Sequence, residues 1–201
     1  IIDGVEIQPS PEYSDARSLQ RRDYPRAGLA PVLRSLQRNT DMKKQPPRNI
    51  YCLEGNWRTN PRCRQSVRPM LDILRDAAGI KYIYHKCNTR EEFFEYLRQY
   101  TFERYRNYTI LYIAFHGRPN KIQIGRDLVT LREIADVLEG FLAHRIVYFG
   151  SCSTMRTKRA NIDDFLHRTK ADILAGYSKD VDFIQATAWE MIWLLKNIES
   201  L

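Results

Sequence analysis

Two residues able to do chemistry stand where two apolar runs stop. One run reads Ile110-Leu111-Tyr112-Ile113-Ala114-Phe115 and ends at His116-Gly117; the other reads Arg145-Ile146-Val147-Tyr148-Phe149 and ends at Gly150-Ser151-Cys152-Ser153. A thiol is mostly protonated at neutral pH, and its thiolate is the nucleophile. An imidazole within reach takes that proton and later hands it to a leaving amine. Gly117 lets a substrate carbonyl come close to the backbone, where the N–H groups of Gly117 and Cys152 meet a developing oxyanion. His116, Cys152 and Gly117 are thus a set of parts for acyl transfer. Taken singly, they have plainer readings: a hydrogen-bonded histidine at a strand end, and a cysteine that fills space. His85, His144 and His167 have no cysteine at a comparable strand end.

Other chemistries fit less well. Cys52, Cys63, His85 and Cys87 are separated by ten, twenty-one and one residues, with no C-x-x-C or H-E-x-x-H spacing, so no metal is expected. Ser151 and Ser153 flank the cysteine, but the G-x-S-x-G pattern of a serine nucleophile is not matched. A phosphate-cradling glycine loop is absent as well.

The elements that must hold His116 and Cys152 follow from hydrophobic period. Strands are predicted at Asn49–Leu53, Ile80–Tyr84, Tyr108–Phe115, Arg145–Phe149 and Ala171–Tyr177. Helices are predicted at Arg64–Ala78, from Thr89 as N-cap through Tyr100, and at Leu131–Leu142, Ile162–Thr169 and Gln185–Ile198. Ile122–Ile124 and Leu128–Val129 flank Gly125-Arg126-Asp127 as a small hairpin. Strands alternating with helices predict an α/β fold, a mostly parallel sheet with helices on both faces. His116 and Cys152 are 36 positions apart, with one hairpin and one helix between them. A single crossover of that kind sets their strands side by side or nearly so, and the two residues then face each other across the carboxyl end of the sheet.

Residues 1–47 hold six of the nine prolines and read as an extension, with a short helix at Ala30–Arg38; residues 48–201 form the main domain. Of 201 residues, 43% are apolar and 28% charged, enough for a real core. The absence of 18 consecutive apolar residues predicts no membrane-crossing helix. The start, Ile1-Ile2-Asp3-Gly4, has neither an initiator Met nor a signal-peptide pattern; the expectation is a piece of a longer chain, in the cytoplasm, with reduced thiols. The net charge of +8 falls mainly on residues 1–68, with 13 basic against 7 acidic side chains. Such an excess marks a nucleic-acid or partner surface, or simply a solvated arm; without aromatics interleaved among the basic residues, the solvated arm is the expectation.

From Asn49 to Ile198 the chain resembles the caspase-like cysteine peptidases, a group that takes in caspases, metacaspases, separases, gingipains and the CHAT-type proteases. The resemblance rests on Asn88-Thr89-Arg90-Glu91-Glu92 before an apolar helix and on His116-Gly117 followed by the hairpin. It continues with Leu128-Val129-Thr130-Leu131 leading into a helix, Phe149-Gly150-Ser151-Cys152-Ser153, and Ala175-Gly176-Tyr177-Ser178-Lys179-Asp180 through Phe183, all in the family's order. The Gln-Ala-Cys-Arg-Gly block of caspases is absent, and the His-to-Cys gap is shorter than the roughly 50 residues of caspases. The chain is therefore nearer to the CHAT-type proteases than to Asp-specific caspases.

The resemblance implies a three-layer caspase-like fold and a cysteine endopeptidase acting on protein or peptide substrates through a His116–Cys152 dyad, with no cofactor. Calcium is a metacaspase habit, but no acidic cluster argues for it here. The family also implies a pocket for the residue before the scissile bond, with candidate lining residues Glu54, Gly150, Tyr177, Ser178, Asp180 and Asp182. A carboxylate at its floor, Asp180 or Asp182, would favour Arg or Lys there; the plainer alternative is that both carboxylates face solvent on a turn. With an acidic pocket, self-cleavage is expected in the loop after Cys152, at Arg156, Lys158 or Arg159, or near Arg21, Arg22 and Arg26; otherwise these are ordinary exposed basic segments. An activator or a parent complex is an expected partner. Two alternatives stay open: an inactive relative that binds partners, and a basic α/β domain that binds nucleic acid.

Overall fold

The computed structural model describes residues 4–10, 48–57, 62 and 64–199. The predicted Ala30–Arg38 helix, Cys63, the dibasic Arg21-Arg22 and Arg26 lie outside the described residues, as does much of the basic excess.

The elements run in chain order as β1 (Val5–Pro9), β2 (Ile50–Glu54), α1 (Arg68–Ala78), β3 (Tyr82–Lys86), α2 (Arg90–Tyr100), β4 (Ile110–Ala114), β5 (His116–Arg118), β6 (Lys121–Ile124), β7 (Asp127–Thr130), α3 (Leu131–Val137), β8 (Ile146–Phe149), α4 (Arg159–Thr169), β9 (Ile173–Tyr177) and α5 (Phe183–Glu199). The fold is mixed α/β. Six strands form one sheet in the order β1-β9-β8-β4-β2-β3, parallel except for β1, which joins β9 antiparallel. Strands β5, β6 and β7 form a separate antiparallel sheet.

Strands β2, β4, β8 and β9 are buried along their whole length, so their side chains alternate between two cores. Tyr51, Leu53, Leu111, Ile113, Val147, Phe149 and Leu174 meet α2, α3 and α4 on one face. Ile50, Cys52, Tyr112, Tyr148, Ala175 and Tyr177 meet α1 and α5 on the other. Helices α1, α2 and α4 cross between consecutive strands, and the β5–β7 hairpin sheet with α3 connects β4 to β8, the crossovers that join parallel strands.

The helix starts have local causes. Thr89 caps α2 and Thr130 caps α3, each with a reciprocal glutamate, Glu92 and Glu133. Glu133 also reaches Arg90 of α2 at 2.7 Å, which fastens the two helices together. Helix α1 begins at Arg68, four residues later than predicted, because the Val67 N–H is taken by the Glu54 carboxylate at 2.8 Å and Pro69 suits a first turn. Helix α3 is shorter than predicted, stopping at Val137 ahead of a turn in which Gly140 takes a positive φ.

Two strands escaped the sequence pattern. Val5–Pro9 falls in the segment read as a plain extension, yet it forms the sheet's edge on β9, pairing Val5 with Tyr177 and Pro9 with Ile173. The chain also does not simply stop at His116: after Phe115 it turns into β5, pairing His116 with Gln123. Among the described residues no helix is long and apolar enough to cross a membrane.

The Glu133 bonds give a pH signature. Burial opposes its charge, but the Thr130 N–H and hydroxyl and the Arg90 guanidinium hold its carboxyl down at about 2. A depressed carboxyl contributes stability above its unfolded value, roughly 4.3, and that contribution is lost as pH falls toward 2. In acid unfolding followed by tryptophan fluorescence, Glu133→Gln should flatten the fall in stability between those pH values. Thr130→Ala should cost about 1 kcal/mol in urea denaturation at neutral pH.

Candidate active site

Strands β4 and β8 are direct neighbours, with Ile113 opposite Phe149. From matched ends the two chains leave the sheet together, and they are stitched at once. The Gly150 N–H donates to the Ile113 carbonyl at 2.9 Å. The Ser151 hydroxyl accepts from the Phe115 N–H at 3.2 Å and donates to the Ile113 carbonyl at 3.3 Å. Ser151, 1% exposed, thus ties the residue before Cys152 to the residue before His116. His116 and Cys152 line one cavity of about 200 Å³, together with Gly150, Tyr177, Trp57 and Phe183.

Gly117 is required by close approach. A Cβ there would lie 2.0 Å from the Cys152 carbonyl oxygen and 2.4 Å from Thr154 Oγ1. The backbones of the histidine and cysteine segments therefore touch. The turn after Cys152 is bolted from the far side. Ser153 has a left-handed φ of 57°, its N–H donates to the Lys179 carbonyl at 3.1 Å, and its hydroxyl donates to Asp180 at 2.6 Å.

The His116 ring is oriented by a backbone group. Its Nε2 lies 2.5 Å from the Trp57 carbonyl oxygen. A carbonyl only accepts, so Nε2 carries the proton and, in the neutral ring, Nδ1 keeps the lone pair. The Trp57 indole packs edge-on against both His116 and Phe183. Its Nε1–H donates to Glu54 at 2.6 Å. Glu54 is fully buried and also accepts from Ser66 Oγ at 2.6 Å, from Val67 N–H and from the Tyr84 hydroxyl, with Lys86 Nζ at 3.7 Å. The Cys152 thiol donates to the Val181 carbonyl, with 3.6 Å between Sγ and oxygen.

The structure divides the predicted pocket residues. Gly150 and Tyr177 line the cavity. Glu54 is not a wall residue: its oxygens are spent inside the protein, where they hold the loop that carries Trp57. Ser178 turns to β1, its hydroxyl and N–H both donating to the Gly4 carbonyl. Asp180 is exposed and occupied by Ser153. Asp182 caps α5 by accepting from the Ile184 and Gln185 N–H groups. Neither aspartate is among the cavity's lining residues. In the loop read as a self-cleavage site, Arg156 and Lys158 are exposed. Arg159, however, opens α4 and is held by Asp163 and Gln8. A peptidase binds its substrate extended, so a cut at Arg159 requires the first turn of α4 to unwind.

The carboxylate that does line the cavity is Glu190, on α5 and 3% exposed. The sequence reading passed over it, yet it lies four residues from Ala186 and from Leu194, on the same buried face of one helix. Trp57 was missed because its backbone carbonyl, which every residue has, is the group that meets His116.

Among the described residues no cluster of three His, Cys, Asp or Glu side chains could hold a metal ion. A family model described as a family of unknown function (DUF6642) matches residues 47–196. No curated protein matches the chain.

The three described cysteines differ in environment. Cys52 and Cys87 are buried, and burial pushes the Cys52 thiol well above its usual range and the Cys87 thiol up to about 12. Cys152 is partly exposed at the cavity. Iodoacetamide should therefore modify Cys152 well before Cys52 or Cys87, as read by peptide mass spectrometry; equal rates would remove the reason to single out Cys152.

Proposed function

The chain belongs to the DUF6642 family, and we propose that it is a cytoplasmic cysteine endopeptidase of the caspase-like kind, cutting protein or peptide substrates with a His116–Cys152 dyad. The observation that carries this reading is the pairing of β4 with β8, which brings an imidazole and a partly exposed thiol to one cavity at the carboxyl end of a parallel sheet. Support also comes from Gly117 pressed against the Cys152 backbone and from the Trp57 carbonyl on His116 Nε2.

The chemistry follows from these parts. His116 Nδ1 takes the Cys152 thiol proton, and Sγ attacks the substrate carbonyl carbon. The carbonyl oxygen becomes an oxyanion beside the N–H groups of Gly117 and Cys152. The C–N bond breaks as His116 returns its proton to the leaving amine, which leaves a thioester on Cys152. Water then attacks the thioester with His116 again as base, releasing the acid and restoring the thiol. The Trp57 carbonyl serves throughout by holding the ring in the tautomer whose Nδ1 faces the chemistry. Substrate entry replaces the thiol's bond to the Val181 carbonyl.

Incubation of the protein with a mixed peptide library, with new termini read by mass spectrometry, tests the reading. The unmodified protein should generate termini that Cys152→Ala and His116→Ala fail to generate, a loss of roughly a thousandfold or more in kcat/KM. Identical cleavage by Cys152→Ala would overturn it. Ser151→Ala, which strands the Phe115 N–H, should retain the fold and lower kcat more than it raises KM.

A further inference from the structure

The cavity beside Cys152 has a floor whose chemistry the dyad does not use. Three tyrosines from adjacent strands, Tyr112 of β4, Tyr148 of β8 and Tyr177 of β9, lie fully buried on the α1/α5 face of the sheet. Glu190 comes down onto them from α5. Its Oε2 accepts from the Tyr112 hydroxyl, while Tyr177 donates to the Ala186 carbonyl one turn away at 3.3 Å. Oε1 faces the nucleophile's strand: a Cβ on Gly150 would sit 3.1 Å from it. Gly150 is two residues from Cys152, and all three residues line the one cavity.

A buried carboxylate needs a reason, because loss of hydration disfavours its charge. Glu54 has a Lys86 ammonium nearby and donors at both oxygens. Among the described residues, Glu190 meets hydroxyls only: the influences on its charge are burial and the hydroxyls of Tyr112 and Tyr177, with no described cation among them. Trp57, Val181 and Phe183 line the same cavity, with polar Gln65 and Thr187 among them; the apolar surfaces suit an aliphatic stem and, at the indole, a cation. A largely apolar cavity that holds both this carboxylate and Cys152 matches a side chain with an apolar stem and a positive tip.

We propose that Glu190 is the specificity determinant of this site, receiving the guanidinium or ammonium of an Arg or Lys immediately before the scissile bond. The assignment rests on the peptidase reading for its meaning, but the cation pocket itself can be measured without catalysis. The bound cation supplies the partner that the fold leaves out, and its charge-assisted bond to Oε1 holds the scissile carbonyl over Cys152.

Protonation gives the pocket a further property. Burial pushes the Glu190 carboxyl up to about 7 against the pull of the Tyr112 and Tyr177 hydroxyls. The titratable groups facing it are Tyr112, Tyr148, Tyr177 and Cys52 from the sheet, with His116 and Cys152 across the cavity. Burial drives the three tyrosines and Cys52 further from ionisation, so they stay neutral through the neutral range. Glu190 is neutral below pH 7 and charged above it, so cation binding strengthens as pH rises through that value.

The test uses two small probes of similar shape, butylguanidinium and butylurea, titrated into the Cys152→Ala protein and followed by NMR. Butylguanidinium should bind about tenfold or more tightly than butylurea at pH 8. That preference should disappear in Cys152→Ala/Glu190→Gln and shrink at pH 5.5. Equal binding of the two probes at pH 8, or an undiminished preference after Glu190→Gln, overturns the assignment. Should the double variant fail to fold, as judged by its thermal melt, the pH comparison in Cys152→Ala decides. The library experiment separates this inference from the reading beneath it. Cysteine-dependent cuts after neutral or acidic residues keep the peptidase and overturn the role of Glu190. Selective butylguanidinium binding by a protein that cuts nothing keeps the cation pocket and overturns the peptidase.

Discussion

The in-register pairing of β4 with β8 is the constraint on which the site depends. Both strands are completely buried, so neither can slide or rotate without carrying a row of core side chains to the wrong face. Because Ile113 stands opposite Phe149, the residues that follow emerge at one height, and the Gly150, Ser151 and Phe115 bonds close the gap immediately. Two loops of different origin are thereby reduced to a single local structure. Every other contribution, from the Trp57 loop, the turn at Ser153 or helix α5, is an adjustment to a meeting point that the sheet has already chosen.

Two buried carboxylates stand behind that meeting point, and they are treated differently. Glu54 ends the strand beside β4 and is saturated with donors, as a structural anion should be. Its work is mechanical: it holds the Trp57 indole, and through it the carbonyl that orients His116. Glu190, one helix away, meets only hydroxyls among the described residues and shares its cavity with Cys152. On the proposed reading, the same residue type at similar burial serves as a rivet in one place and a receptor in the other, and the difference lies in what surrounds it.

Much of the fold was legible in the sequence because it follows from periodicity. The apolar runs at Ile110–Phe115 and Ile146–Phe149, the capping boxes at Thr89 and Thr130 and the hairpin about Gly125 are local signals, and the structure has those elements in place. Parallel order with short crossovers was enough to put His116 near Cys152. The pocket was not legible, because the expected acidic residues, Asp180 and Asp182, are spent on the Ser153 turn and the α5 N-terminus. Those two jobs are ones that aspartate does in many loops, and residue type alone does not separate them from a substrate contact. Glu190 was hidden by the opposite effect: an acidic residue inside a helix reads as solvent-facing until the buried face of that helix is known. The Val5–Pro9 strand was invisible for a third reason, since five residues beside a proline-rich stretch make an edge strand only when an open partner exists.

That partner is β9, and the join has a kinetic meaning. Gly4 meets Ser178 across 174 positions of chain, whereas β4 and β8 meet across fewer than forty. Loop-closure entropy favours forming the parallel core before so distant a contact. Strand β9 and its terminal Tyr177 therefore spend the early life of the molecule as an open sheet edge, the kind of surface on which stray strands add. Closure by β1 ends that exposure, so the N-terminal strand acts as a latch on the order of folding as well as a member of the finished sheet.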